Sequence, residues 1–231
     1  MASLTIFADR KSQPSRAILI FCKVNGIEFE EVKMDLFKGD HLTAEYEAIN
    51  PMKKVPAIAH GDFTLFESHA ILIYLACCYN VSEHWYPTDL RTRAKLHAIM
   101  DWHHTNLRQG AAGYINTTVV APKLGKPPNP EGAAECERKL IASFSTIETM
   151  WLKNDASFLL ARDQPSIADL SLVCEIMQLE ILSMEERNRM IRPYKKIQKW
   201  VERVKNATNP YFDEIHQLLY EIVASSKQQE A

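Results

Sequence analysis

The chain has little that would send it to a membrane or to a polyanion. No apolar run approaches the roughly 18 residues that a spanning helix needs. The first ten residues, Met1 to Arg10, lack a basic stretch followed by an apolar core, so they do not read as a secretory leader. The last seven, Ser225 to Ala231, contain no retention or peroxisomal tripeptide and no lipidation box. Net charge is only −2, and the doublets Lys53-Lys54 and Lys195-Lys196 are too short to form a basic stripe. No nucleic-acid partner is expected. The five cysteines are odd in number and have no C-x-x-C spacing, and Cys77 and Cys78 are adjacent within a helical pattern. Scattered free thiols of this kind suit a reducing compartment, so a cytoplasmic location is expected and the sequons at Asn116 and Asn206 are idle. There is no internal repeat, no low-complexity tract and no triad signature for a nucleophilic serine.

What is present is an ordinary globular composition, 46% hydrophobic and 24% charged. A length of 231 residues suffices for one large domain or two small ones with real cores. The first 80 residues alternate between element types. Leu4–Ala8 reads as a strand, Pro14 to Val24 as a helix closed by Asn25-Gly26, and Phe29–Lys33 as a second strand. A short helix is expected near His41–Ala48. Ala57–His60 and Thr64–Phe66 flank Gly61-Asp62 as a hairpin, and Ser68–Tyr79 follows as a helix. Ala70 to Leu75 is apolar on nearly every side, which predicts burial between two layers.

After residue 80 the strand signals stop. Asn80–Asp89 reads as a linker, Arg91–Thr118 as one long helix and 121–132 as a loop. Further helices are expected over Glu135–Leu152, Ile167–Leu182, Tyr194–Val204 and Pro210–Ala224. Ser166 to Asp169 has the form of a capping box. The plan is a small α/β layer followed by a larger all-helical body.

The segment with most chemistry is 50–75. The Val55-Pro56 step is one of the few where a cis peptide costs little. Ahead of what is read as an edge strand, it would turn backbone groups outward for an extended peptide to dock on. Glu67-Ser68 then offers a carboxylate, a hydroxyl and free N–H groups at a helix start, where an anion is favoured. Ser12, at a strand-to-helix turn ahead of Pro14, reads from position alone as a cap. Ser15 is a weaker rival, lying within the helix. His97, Asp101 and His104 share a spacing that superficially suits a metal, but surface or core histidines are the preferred reading and no metal is expected. Cys22, on an apolar face, reads as a packing residue.

Taken in order, Ser12-Gln13-Pro14-Ser15-Arg16-Ala17, Lys38-Gly39-Asp40-His41-Leu42, Asn50-Pro51-Met52-Lys53-Lys54-Val55-Pro56-Ala57, Glu67-Ser68, Leu107-Arg108 and Ser166–Leu170 resemble the cytosolic glutathione transferases of the theta class, plant-type members above all. The resemblance spans essentially the whole chain. It implies a thioredoxin-like N-terminal domain (1–80), a linker (81–90) and an all-α C-terminal domain (91–231) carrying the second-substrate site. It implies glutathione as co-substrate, no prosthetic group and a homodimer. Ser12 would donate to the glutathione sulfur and stabilise its thiolate, with Arg108 adding positive potential. Val55 would pair its backbone with the cysteinyl unit, His41 and Lys54 would face the glycyl carboxylate, and Glu67 and Ser68 would take the γ-glutamyl end. Lys53 could stand in for Lys54. The thiolate would attack an electrophilic carbon or the O–O bond of an organic hydroperoxide; the alternative is a non-catalytic carrier module. Serine rather than cysteine at position 12 argues against omega-type relatives and against a thiol–disulfide reductase. The second-substrate pocket is expected between Arg10-Lys11, the helix near His104–Tyr114 and the C-terminal tail, whose early polar end points to an open site.

Overall fold

The computed structural model describes residues 2–229. Its strands are β1 (Leu4–Ala8), β2 (Glu30–Lys33), β3 (Ala57–His60) and β4 (Phe63–Phe66), in the order β2-β1-β3-β4. β1 runs parallel to β2, whereas β3 is antiparallel to both its neighbours. The parallel pair requires a crossover, which α1 (Gln13–Val24) supplies. α2 (Ala44–Ile49) and α3 (Ser68–Cys78) complete this α/β part. One expectation is corrected here: β3 lies inside the sheet, whose edge strands are β2 and β4. The Val55–Pro56 bond is cis, as its sequence allows.

Every later element is helical. The α-helices are α4 (Leu90–Thr105), α5 (Leu107–Ile115), the single turn α6 (Ala121–Lys123), α7 (Pro130–Thr146), α8 (Ile167–Met177), α9 (Met184–Ile191), α10 (Lys195–Thr208) and α11 (Tyr211–Gln229), joined in places by short π and 3-10 turns. The single helix expected over Arg91–Thr118 breaks at Asn106, with φ −121 and ψ −84. The Asn106 side chain donates to the Trp102 carbonyl at 2.9 Å, competing for the group that continuous helix would use. α7 starts five residues before the expected Glu135, because Asn129 caps it through the Gly132 N–H and Pro130 occupies its first turn. Gly110 allows α5 to lie against α7, since a Cβ there would sit 2.5 Å from the Leu140 nitrogen. α9 had no strong apolar period and was not expected from sequence.

The uniformly apolar α3 does lie between layers: Ile71, Leu72 and Leu75 are fully buried, and the helix packs on α1 and α8. The stretch read as a linker is anchored. Trp85 is buried edge-on against Phe21, and its carbonyl accepts from Ile167 N at 3.0 Å. The capping box at α8 is present, with its Asp169 carboxylate fully buried and receiving Ser166 N, Ser166 Oγ, Leu159 N and Trp200 Nε1 at 2.6–2.8 Å. Among the described residues no helix is long and apolar enough to cross a membrane.

Candidate functional site

The strand register brings four loops to one end of the sheet. Ala8 at the end of β1 pairs with Lys33 at the end of β2, and Phe7 faces Ala57 at the start of β3. Ala57 in turn faces Phe66, the last residue of β4. The segments carrying Ser12, His41, Lys54-Val55 and Glu67-Ser68 therefore all emerge at this end. Neighbouring strands are about 4.8 Å apart, so the loops after β1 and β4 are separated by two strand spacings, roughly 10 Å.

Ser12 is held on a fixed turn. Its N–H donates to the Asp9 carbonyl at 2.8 Å and its carbonyl accepts from Arg16 N at 3.1 Å. The Asp9 side chain, 2% exposed, accepts from Lys11 N and Leu36 N. Arg16, fully buried, donates to the carbonyls of Arg10 and Lys11 and, across to α8, to the Cys174 carbonyl and Gln178 Oε1. Ser12 occupies the N-cap position of α1, yet its hydroxyl makes no capping hydrogen bond. Among the described residues the hydroxyl has no hydrogen-bond partner, and it stands at a helix N-terminus, where a negative partner is favoured. Ser15 is fully buried within α1, its Oγ without a partner among the described residues.

Val55 follows a carbonyl pinned by two donors: the Lys54 oxygen accepts from Tyr46 Oη at 2.6 Å and Asn50 Nδ2 at 2.7 Å. No other described residue engages the Val55 N–H or C=O. Lys53 has φ +51 and its ammonium pairs with Glu47 at 2.9 Å, whereas Lys54 is exposed and carries no ion pair with another described residue. His41 lies on a short 3-10 turn, Asp40–Leu42, that opens at Gly39 with φ +82; its Nδ1 is buried without a partner among the described residues. Glu67 is exposed at φ +70, a conformation costing roughly 1–3 kcal/mol that concentrates at ligand clamps. Ser68 opens α3 and is buried, with the unpaired amides of the helix start beside it.

The i, i+4, i+7 spacing of Asp101, Thr105 and Arg108 would put them on one face of an unbroken helix, but the break at Asn106 places Arg108 on α5 instead. Its Nη1 donates to Glu175 Oε2 at 2.8 Å, and Glu175 is fully buried. Of the groups weighed for a metal, His97 Nε2 meets the Tyr86 hydroxyl at 3.0 Å and the His104 ring lies 4.3 Å from His69. Cys22 is buried and its thiol is pushed up by that burial. A cavity of about 320 Å³ lies between the Arg10-Lys11 loop, the end of β2 and α11, with Met34, Gln217, Leu218 and Glu221 in its wall. Its lining includes Arg10, Lys11 and residues of α11 and none of His104–Tyr114.

Sequence reasoning missed Asp9, Arg16, His69, His103 and Glu175. Glu175 interrupts an otherwise apolar stretch of α8, and that interruption was the available signal there; Arg16 merely precedes the apolar run of α1.

The sequence matches the family model for the glutathione S-transferase N-terminal domain over residues 2–77. It is 56% identical over 223 residues to glutathione S-transferase T1 of Arabidopsis thaliana, covering 96% of this chain and 91% of that one. The chain belongs to the theta class of the glutathione S-transferases. Its structure superposes on human glutathione S-transferase T1-1 in the apo form with a TM-score of 0.87 at 36% identity, covering 96% of this chain and 91% of that one. A human theta transferase in complex with the glutathione conjugate of 1-menaphthyl sulfate matches with a TM-score of 0.87 at 33% identity, over 99% and 91% of the two chains. The architecture is therefore that of the glutathione transferase fold: a thioredoxin-like part with a mixed four-stranded sheet, followed by a helical part.

Proposed function

We propose that this theta-class transferase binds glutathione across the sheet end and activates its thiol through Ser12. The observation that carries the reading is the free Ser12 hydroxyl at the N-terminus of α1, on a loop fixed by buried Asp9 and Arg16. An extended three-residue peptide reaches about 10 Å, which matches two strand spacings. Its cysteinyl unit would then pair with Val55, its γ-glutamyl end would meet Glu67 and Ser68, and its glycyl carboxylate would meet Lys54 and His41. Glu67 supplies a carboxylate for the ammonium; Ser68 and the first amides of α3 supply donors for the carboxylate.

The chemistry follows from one stabilised anion. A hydroxyl donating to sulfur in the field of a helix N-terminus favours thiolate over thiol, and the thiolate is the nucleophile. Ser12 keeps its proton throughout and needs no base. Attack on an electrophilic carbon forms a C–S bond and expels a leaving group or adds to an activated alkene. Attack on the O–O bond of an organic hydroperoxide gives an alcohol and a sulfenic acid, which a second glutathione converts to the disulfide and water. Arg108 adds positive potential near the sulfur. The proposal includes the division into 1–80, 81–90 and 91–231, a homodimer, and a detoxifying role in the cytoplasm.

The test is turnover of glutathione with a benzyl halide and with cumene hydroperoxide, for wild type and Ser12→Ala. Turnover that falls at least tenfold in Ser12→Ala supports the reading. Glutathione binding without turnover of any electrophile favours the carrier module, and turnover untouched by Ser12→Ala removes Ser12 from its role. Sedimentation of the free protein checks the dimer.

A further inference from the structure

Four helices bring a chain of buried polar side chains to Arg108. Ser171 Oγ on α8 lies 2.9 Å from His69 Nε2 on α3, and that nitrogen lies 3.2 Å from His103 Nδ1 on α4. The other nitrogen of His103 approaches Glu175 Oε2 on α8 at 3.4 Å. The same carboxylate oxygen receives Arg108 Nη1 from α5 at 2.8 Å. Glu175 is 0% exposed, His103 3% and His69 7%.

A carboxylate oxygen only accepts, so the His103 Nε2 that faces Glu175 carries a proton; at 3.4 Å it makes an ion-pair approach to the carboxylate rather than a formed hydrogen bond. Burial, then the neighbouring charges of His103, His104 and Arg108, push His69 down to about 2, so its ring is neutral at physiological pH. Burial pushes the Glu175 carboxyl up, but Arg108 and His103 outweigh it and hold the carboxyl below its ordinary value. Arg16 on α1 also feels the Glu175 charge.

Only one arm of the Arg108 guanidinium is engaged. Among the described residues Nη1 alone has a hydrogen-bond partner, leaving Nε and Nη2 available. A fork gripped by one nitrogen is oriented without being fully neutralised.

We propose that Glu175 and His103 are positioning residues that hold Arg108 by one arm, and that His69 ties this support to the helix carrying Ser68. The proposal rests on Arg108 facing the glutathione sulfur. It links the γ-glutamyl end of the cradle, through α3, to the cation beside the thiol. A buried carboxylate near the sulfur by itself disfavours a thiolate, so its presence calls for what it does to Arg108.

That opposition fixes the sign of the test. The pH dependence of thiolate ultraviolet absorbance is measured for the full-length protein saturated with glutathione, alongside kcat and KM with a benzyl halide. Removing a negative charge lowers the bound thiol's pKa if charge is all that Glu175 contributes. If Glu175 positions Arg108, Glu175→Gln raises that pKa by about one unit and lowers kcat about tenfold at pH below it, with the KM for glutathione within about twofold. His103→Leu moves both in the same direction, and His103→Gln, whose amide N–H can replace Nε2–H, restores them. In an Arg108→Lys background Glu175→Gln has little further effect, as expected for residues acting as one unit. A lowered pKa, a pKa unmoved while stability falls, or an undiminished effect in Arg108→Lys overturns the proposal. Should Glu175→Gln fail to fold, the two His103 variants decide, because equal effects in Leu and Gln contradict positioning through the N–H. Arg108→Ala leaving the thiol's pKa unchanged instead refutes the reading of Arg108 itself.

Discussion

Replacing Asp169 by alanine tests how the helical part is held together. The carboxylate is fully buried and takes four donors: Leu159 N and Trp200 Nε1 on one oxygen, Ser166 N and Ser166 Oγ on the other. It ties the 158–162 loop, the start of α8 and α10 to one point. Alanine leaves three buried N–H donors unpaired, at roughly 1–3 kcal/mol each, while the serine hydroxyl can rotate. Burial raises the cost of the charge, pushing the carboxyl up, so removing it returns part of that sum. The net loss expected is about 4 kcal/mol, a large fraction of the roughly 5–15 kcal/mol that a domain holds. With a urea m-value of about 3 kcal/mol/M, the midpoint falls by roughly 1.3 M. Asp169→Asn keeps an acceptor for Leu159 and Trp200 but turns an amine toward Ser166, so it falls between. Urea unfolding followed by tryptophan fluorescence and by circular dichroism measures both. A midpoint shift below about 0.3 M for alanine, equivalent to ~1 kcal/mol, would refute the reasoning.

Two further outcomes are expected. His69 and His216, both buried, have pKa values depressed to about 2 and about 3 by burial first of all, against 6.5 in the unfolded chain. The unfolded state therefore binds protons below 6.5 that the folded state refuses, so stability is intact above that value and is lost as pH falls. Each ring contributes a slope of about 1.4 kcal/mol per pH unit between about pH 5.5 and 3; urea midpoints across pH 8 to 4 show it, and His216→Phe halves this part of the slope. At the glycyl end, Lys54→Ala raises the KM for glutathione about two- to fivefold with kcat unchanged, the measure of an exposed ion pair of ~0.5–1 kcal/mol. Lys53→Ala, whose ammonium already serves Glu47, leaves that KM unchanged in steady-state kinetics.

The elements that sequence made legible are those where local rules and tertiary packing agree. β1, α1, the hairpin around Gly61-Asp62 and the capping box at Ser166 carry period, turn chemistry and caps in the same place. The break at Asn106 was hidden because its cause is one side chain donating backward to Trp102 within an otherwise helical pattern. Strand order was hidden too: the short β3 reads the same inside a sheet or at its edge, and only pairing with β1 decides. Among the proposed site residues, Ser12, Val55, Glu67 and Ser68 could be picked from sequence because loop and cap positions signal free polar groups. Asp9, Arg16, His69, His103 and Glu175 act through partners more than 20 residues away, apart from the local bonds of Asp9 and Arg16, and no spacing rule joins them.

The central claim is that the Ser12 hydroxyl stabilises the glutathione thiolate. One charge-assisted hydrogen bond of about 1.5–3 kcal/mol corresponds to roughly one to two pKa units. Titration of thiolate absorbance in the protein saturated with glutathione reads that quantity directly. The account predicts a bound thiol pKa higher by one to two units in Ser12→Ala than in wild type, about that size, with glutathione still bound. An unchanged pKa in Ser12→Ala, with glutathione bound, would contradict it.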